Sequence, residues 1–187
     1  GCAQAAALRI AGSRDIYAEN VRENASVNFF TCHDGFTLYD LYAYNYKHNE
    51  KNGWNNTDGA NDNNSWNCGV EGETADGEVN ALRMRMMRNA FALLMCSRGI
   101  PMFLAGDEFC NTQFGNNNAY CQDNITSWLD WSLLEKNRDM FHFFQYMIGF
   151  RKSHRVLRAN KRDGACGFTD VSFQGITPRH NGPFSTA

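Results

Sequence analysis

The sequence predicts an α/β protein built from βα units around a parallel sheet. Two short apolar runs, 27–32 and 100–105, have the β-branched and aromatic composition of buried strands. A longer segment with helical apolar spacing follows each run, and this alternation is typical of parallel strands joined by helices. Both runs end in charged residues and continue into polar loops, as strands do at the active-site face of a (β/α) barrel.

The length of 187 residues limits how this pattern can be completed. A closed eight-stranded barrel needs about 250 residues, and the sequence contains two clear βα units. The chain is therefore either a small open sheet or part of a barrel. Its 43% hydrophobic and 20% charged residues are typical of a folded domain and not of a disordered tail.

Charge and hydropathy argue against two classes of function. The formal net charge of −2 lacks the basic excess of a general nucleic-acid binder. The mean hydropathy is −0.53, and no apolar run approaches the roughly 18 residues that a membrane span needs. The seven cysteines are odd in number and include no CxxC pair. We therefore expect free thiols in a reducing compartment.

Periodicity and capping residues predict the helices. They are expected over residues 2–10, 36–48, 78–98 and 138–154, with a further candidate strand at 170–174. Thr37 is the expected cap of the second helix, and Asp40 lies in its first turn. Gly99 ends the third helix. Its arginines are expected on the solvated face: Arg83, Arg85, Arg88 and Arg98.

Two long polar loops separate these elements, and their composition suggests sugar binding. Aromatic faces pack on the apolar face of a pyranose, and amides satisfy its hydroxyls. The candidate contacts combine both types: Trp54, Trp66, Asn116, Asn117, Asn118 and Tyr120. The alternative is that the tryptophans anchor these loops to the fold.

His33-Asp34-Gly35, at the end of the first predicted strand, is the sharpest local signal. A neutral histidine beside a carboxylate can donate and accept hydrogen bonds to a polyhydroxyl substrate. The alternative is an Asp-Gly turn with a histidine nearby. Gly106-Asp107-Glu108 lies at the corresponding position after the second predicted strand. Its carboxylates either act in catalysis or cap the segment that follows the turn. No phosphate-binding or nucleophile-elbow motif is present, so no cofactor is expected. The loop from Asp58 to Glu73 fails the EF-hand calcium pattern, because Trp66 stands where an oxygen ligand belongs, and no metal is expected.

Taken together, the segments resemble the isoamylase and glycogen-debranching branch of the α-amylase superfamily. The similarity covers about residues 8–158 and rests on motifs in the family's order: VNFFTCHDGFTLYDL, YNYKHN, NGWNNTDG, NNSWNCGVEG, LRMRMMRNAFALLMCSRGIPMFLAGDE, TQFGNNNAYCQDN and WLDW. The resemblance implies a (β/α)₈ barrel that hydrolyses α-1,6 branch linkages in glycogen, amylopectin or limit dextrins. It also implies a retaining mechanism with a carboxylate nucleophile and a carboxylic acid/base.

The resemblance assigns places in that barrel, from strand seven to helix eight. Residues 1–158 are expected to be the C-terminal portion of the barrel, and 159–187 an irregular linker toward a C-terminal β-domain. Asp34 is implied to be the catalytic carboxylate that stabilises the transition state, with His33 as its catalytic partner. The expected substrate-binding residues are Trp54, Asp107, Asn117, Asn118 and Tyr120.

The family's nucleophile and acid/base lie on earlier strands, so the chain by itself is expected to be inactive. The expected partner is a branched α-glucan and neither nucleic acid nor membrane, and the expected location is the cytoplasm. Two alternatives remain. One is a non-catalytic glucan-binding module derived from such a barrel, and the other is a fragment of an α-1,4-acting amylase or glucanotransferase.

Overall fold

Helices account for most of the regular structure. The computed structural model describes residues 3–13, 15–17 and 26–158. Within them lie these helices and strands: α1 Ala3–Ile10, β1 Val27–Asn28, α2 Leu38–Leu41, α3 Gly77–Cys96, β2 Ile100–Pro101, α4 Ser132–Lys136 and α5 Arg138–Ser153. Short 3₁₀ turns occur at Glu50–Asn52, Asp107–Phe109, Ala119–Cys121 and Arg155–Leu157. The candidate strand at 170–174 and the expected linker at 159–187 lie outside the described residues.

β1 and β2 pair in parallel, as the alternation of strands and helices predicts. Val27 lies opposite Ile100, and Asn28 lies opposite Pro101. The strands are shorter than the predicted runs, because no further ladder partner is present among the described residues. The prediction that they are buried is wrong for this part of the chain, since Val27 is 48% and Ile100 55% exposed. Apolar composition indicates strand propensity but does not supply the neighbouring backbone that extends and covers a strand.

The chain divides into two compact units. Among the described residues, one unit comprises 3–13, 15–17, 26–28, 93–101 and 150–158, and the other comprises 29–92 and 102–149. In the first unit, the buried guanidinium of Arg151 donates to the carbonyl oxygens of Met95, Ser97 and Gly99 at 2.6–2.7 Å. These bonds satisfy carbonyl groups at and just beyond the end of α3, where helical partners run out.

An aromatic cluster forms part of the core of the second unit. Phe91 of α3 stacks on Phe144 of α5 with 3.5 Å between ring centroids. Phe103 meets both rings edge-on, at 5.3 and 5.7 Å. Phe91 and Phe144 are each 1% exposed, so this contact buries apolar surface of both helices.

The arginines of α3 do not all face solvent, which corrects the sequence prediction. Arg83 is fully buried, and its Nη2 donates to the carbonyl oxygens of Asn67 and Val70. Arg83 falls at helical spacing from buried Met87 and Ala90, so the periodicity places it on the inner face. Arg98, just beyond the helix, is 7% exposed. The polar residue types therefore did not indicate this inner face. Arg83 can be buried there because the loop carbonyl oxygens of Asn67 and Val70 accept its hydrogen bonds.

The predicted helix at 36–48 is reduced to the short α2, although its cap is confirmed. Asp40 N donates to Thr37 Oγ1 at 3.1 Å. Beyond α2, the backbone N–H groups of Asn45 and Tyr46 donate to the carboxylate of Glu71 instead of to helix carbonyls. The other predicted helices are confirmed to within two residues at each end. In the described residues, no helix has the length and apolarity needed to cross a membrane.

Candidate functional site

His33 and Asp34 lie in an exposed turn before α2. Their side chains are 86% and 80% exposed, and His33 Nε2 lies 3.4 Å from Asp34 Oδ2. Gly35 continues the turn with φ +94°, a left-handed conformation that glycine adopts without strain. The turn therefore presents a carboxylate acceptor and an imidazole that can donate or accept, the pair of groups that sugar hydroxyls require.

Asp107 lies beneath this turn and holds both of its ends. Its Oδ2 accepts from Thr31 Oγ1 at 2.6 Å, and its Oδ1 accepts from Leu38 N at 2.8 Å. Leu104 N also donates to Oδ2, at 3.1 Å. Asp107 is fully buried, and this burial raises its pKa to about 6 despite the three hydrogen bonds, which lower it. The position does not fit the expected direct contact with substrate, because the carboxylate is inaccessible and already occupied.

A second buried carboxylate, Asp40, fastens α2 to the loop at 112–115. It accepts from Gln113 N at 2.8 Å and from Gly115 N at 3.4 Å, and also from Thr112 Oγ1. Burial raises the pKa of Asp40 to about 6, and the same hydrogen bonds oppose this rise. The sequence indicated only that Asp40 is a charged residue in the first turn of a helix. Its partners Thr112 and Gln113 lie 72 and 73 residues further along the chain, so the sequence did not predict these contacts.

Asn117 is part of a buried amide network and not of an open surface. It is 2% exposed, and its Nδ2 donates to Ala60 O at 2.8 Å and to Asn63 Oδ1 at 2.7 Å. Its Oδ1 accepts from Nδ2 of Asn49, which is itself fully buried. Its backbone carbonyl accepts from Gly35 N at 3.0 Å. These contacts do not fit the expected substrate contact, because the side-chain donors and acceptor are used internally.

Asn118 and Asp58 form the outer part of this network. Asn118 Nδ2 and Asn52 Nδ2 both donate to Asp58 Oδ2, at 2.9 and 2.8 Å. The hydrogen bond from Asn52 is the largest cause of a lowered pKa for Asp58. Asn118 is half-buried, so part of its surface stays accessible. Its amide nitrogen is used in the hydrogen bond to Asp58.

The aromatic candidates lie at the surface. Tyr120 is 74% exposed, Trp54 59% and Trp66 48%. Their ring faces are therefore available for packing on a sugar. A pocket of about 370 Å³, which the sequence did not predict, is lined by residues that include Glu73, Phe114 and Trp128. The only signal for it was the aromatic stretch around Trp128.

The carboxylates and thiols do not form a metal centre in the described part of the chain. No group of three or more His, Cys, Asp or Glu side chains there is arranged to hold a metal ion. The described thiols are free: Cys32, Cys68, Cys96, Cys110 and Cys121.

Comparison with known proteins finds close relatives. No protein-family model matches the chain. The chain is 55% identical over 156 residues to the glycogen operon protein GlgX homolog of Mycobacterium bovis, covering 83% of this chain and 22% of that protein. It is 51% identical over 157 residues to isoamylase 3, chloroplastic, of Oryza sativa, covering 83% of this chain and 20% of that protein.

Solved structures give a consistent comparison. The pullulanase of Paenibacillus barengoltzii, in complex with maltohexaose and α-cyclodextrin, matches with a TM-score of 0.59 and 27% identity. The match covers 84% of this chain and 21% of that one. A type I pullulanase from Bacillus subtilis, complexed with maltose, matches with a TM-score of 0.60 and 25% identity, covering 84% of this chain and 18% of that one. The chain thus spans about a fifth of the length of the relatives it matches.

Proposed function

On the premise that this chain is a homologue of GlgX glycogen-debranching proteins and isoamylases, we propose that it forms part of an α-1,6-glucan hydrolase. Its place in the fold is the strand-seven to helix-eight portion of a (β/α)₈ barrel, with β1 and β2 as the two strands. The parallel pairing of β1 with β2 and the similarity to pullulanases of the α-amylase superfamily support this placement.

Asp34 is the carboxylate that we propose stabilises the transition state. Its side chain is exposed, it follows the first predicted strand, and its Oδ2 lies 3.4 Å from Nε2 of His33. Hydrogen bonds from sugar hydroxyls to such a carboxylate strengthen as positive charge develops on the ring, so they lower the barrier more than they tighten substrate binding. His33 holds a second hydroxyl, as donor or acceptor according to its tautomer.

The exposed side chains around the loops are the proposed substrate contacts. Trp54 and Tyr120 supply aromatic faces, and Asn118 supplies its accessible edge. Asp107 and Asn117 are assigned to the support of the turn and loop. The substrate class is a branched α-glucan such as glycogen, amylopectin or a limit dextrin, and we propose a cytoplasmic location.

Hydrolysis with retention needs a nucleophilic carboxylate and an acid/base carboxyl group about 5–5.5 Å apart across the scissile bond. We propose that both come from other segments of a longer protein, comparable in length to the relatives. The 187-residue chain by itself is then inactive. The observation that carries the whole proposal is the exposed His33–Asp34 pair, held on an anchored turn in a chain 55% identical to a GlgX homolog.

The test uses the complete protein that carries this chain, with pullulan, amylopectin and linear amylose as substrates. We expect new reducing ends from amylopectin and pullulan and none from amylose. Asp34→Asn is expected to lower kcat by at least about a hundredfold, the scale seen when one transition-state contact is lost. Asp139→Asn, which changes an exposed carboxylate at the start of α5, is the matched control and should leave kcat unchanged.

Two results would contradict the proposal in different ways. Hydrolysis of linear amylose would indicate an α-1,4-acting amylase or glucanotransferase. Binding of maltohexaose with no hydrolysis of any of the three substrates would indicate a glucan-binding module.

A further inference from the structure

We infer that Asp107 is a positioning residue, which fixes His33 and Asp34 for catalysis by holding both ends of the turn that carries them. The inference rests on the proposed function, since it assigns how the proposed transition-state contact is kept in place. It replaces the expectation that Asp107 contacts substrate.

The geometry is that of a clamp made by one side chain. Thr31, two residues before His33, donates its hydroxyl to Asp107 Oδ2 at 2.6 Å. Leu38, four residues after Asp34, donates its backbone N–H to Asp107 Oδ1 at 2.8 Å. The two oxygens of one carboxylate therefore set the separation of the two ends of the turn.

The side chains that need precision have little local restraint of their own. The side chains of His33 and Asp34 are 86% and 80% exposed, and their contact of 3.4 Å is at the long end for a hydrogen bond. A catalytic contact must be placed to within about 0.5 Å. Backbone anchoring is therefore the means by which the described residues can supply that precision, with Gly35 N bonded to Asn117 O as the third anchor.

The donor set selects a carboxylate at this position. Asp107 Oδ2 accepts from Thr31 Oγ1 and also from Leu104 N, while Oδ1 accepts from Leu38 N. An asparagine here would place its NH₂ group opposite the backbone N–H of Leu38 or of Leu104. Two donors cannot bond to each other, so that hydrogen bond would be lost. Keeping an ionised carboxylate fully buried costs free energy. The three hydrogen bonds to Asp107 offset part of this cost and anchor both ends of the turn.

Thr31 gives the mildest way to open the clamp on one side. It is 5% exposed, and its hydroxyl is the link between Asp107 and the start of the turn. Thr31→Val keeps the shape and removes the hydrogen bond, whereas Thr31→Ser keeps the hydroxyl. Thr126→Val is the matched control, because Thr126 is also 5% exposed and lies outside the turn.

The experiment measures kcat and KM for amylopectin with the complete protein that carries this chain, at constant active-site concentration. We expect Thr31→Val to lower kcat about tenfold with KM within about twofold, the signature of an interaction that acts in the transition state. Thr31→Ser should keep kcat within about twofold of the unsubstituted protein, and Thr126→Val should leave kcat unchanged. Asp107→Asn, with folding checked by circular dichroism, should lower kcat more than Thr31→Val. Its NH₂ group opposes a backbone N–H donor, whereas Thr31→Val only removes one hydrogen bond.

The outcomes separate the inference from the function on which it rests. Absence of amylopectin hydrolysis by the unsubstituted protein would overturn the proposed function, and the inference with it. Normal hydrolysis with equal kcat for Thr31→Val and Thr31→Ser would overturn the inference alone. A lower Tm for Thr31→Val with unchanged kcat would likewise overturn it, because a merely structural hydrogen bond would then explain the contact.

Discussion

Asn49 and Asn117, 68 residues apart in the sequence, exchange two hydrogen bonds. Asn49 Nδ2 donates to Asn117 Oδ1 at 2.8 Å, and Asn117 N donates to Asn49 Oδ1 at 3.0 Å. Because the Asn117 carbonyl also accepts from Gly35 N, the pair connects the long polar loop to the turn of His33 and Asp34. The amide-rich loops are therefore part of the support of the candidate site, in addition to the exposed residues they carry.

Asn117→Ala should reduce the free energy of unfolding by about 2–3 kcal/mol, because it removes the hydrogen bonds that this buried side chain makes with Asn49 Nδ2, Ala60 O and Asn63 Oδ1. Urea unfolding of the chain is the measurement. Asn89→Ala, at an exposed position of α3, is the control and should change stability by less than about 0.5 kcal/mol. Equal effects of the two substitutions would contradict a buried network at Asn117.

Arg83→Ala should destabilise the chain by about 2–4 kcal/mol. The substitution removes the hydrogen bonds from Arg83 to the carbonyl oxygens of Asn67 and Val70, and it opens a cavity where a fully buried side chain lay. Arg85→Ala makes the same chemical change on the exposed face of the same helix and should change stability little. Thermal unfolding of both variants would show the difference; a larger effect at Arg85 would reverse the assignment of helix faces.

Phe144→Ala should cost about 3–5 kcal/mol, the range for removing a buried aromatic side chain. The loss follows from its stacking on Phe91 at 3.5 Å and its edge contact with Phe103. Tyr146→Ala, two residues further along α5 and 65% exposed, removes a similar volume from the surface. Chemical denaturation should separate the two variants clearly, and similar midpoints would place Phe144 outside the core.

The buried Asp107 should make stability depend on pH in a defined window. Its pKa is raised by burial from 3.8 to about 6, so between these values the folded chain holds a proton that the unfolded chain has released. Its contribution to the free energy of unfolding therefore increases as pH falls from 6 toward 3.8. Asp107→Asn lacks this titration, so the stability of the parent chain relative to the variant should increase by about 1 kcal/mol from pH 7 to pH 5.

Urea unfolding of parent and variant at both pH values measures this difference. A relative stability that falls with falling pH would mean that the Asp107 pKa is lowered and not raised.

Tyr120→Ala and Trp54→Ala should weaken glucan binding without lowering stability. Both aromatic rings are exposed, at 74% and 59%, and their proposed role is to pack on a sugar face. A loss of about 1.4 kcal/mol per stacking ring corresponds to about tenfold in Kd. Calorimetric titration of maltohexaose into the complete protein measures it, with Tyr146→Ala as the control for an exposed aromatic ring elsewhere. Unchanged affinity in both variants would remove these residues from the proposed binding surface.

The sequence was most informative where structure depends on neighbours along the chain. The bounds of α3 and α5 follow from apolar spacing, and the Thr37 cap follows from local hydrogen-bond chemistry. The alternation of strands and helices also predicted the parallel pairing of β1 with β2. These features are encoded within a few residues or one helical turn, so a single sequence suffices to read them.

Polar residue type by itself does not predict which side chains are exposed. Arg83 was expected in solvent, and Asp107 and Asn117 were expected against substrate, yet each is at most 2% exposed. A polar residue is stable inside when distant groups supply its hydrogen bonds, and those groups are not adjacent in sequence. Sequence alone carried no signal that Thr31, Leu38 and Leu104 would converge on Asp107.

Local spacing and motif order were enough to predict the longer helices, the parallel βα pattern, the His33-Asp34-Gly35 motif and the resemblance to debranching enzymes. Long-range contacts, which the sequence does not show, distinguish the polar groups that are exposed for chemistry from those that are buried to support them. Asp34 and Asp107 each follow a predicted strand and looked alike in sequence, but 80% of one side chain faces solvent and the other residue is fully buried. The physical reason is that a carboxylate can leave water only where several donors from distant segments replace it, and the fold places those donors around Asp107.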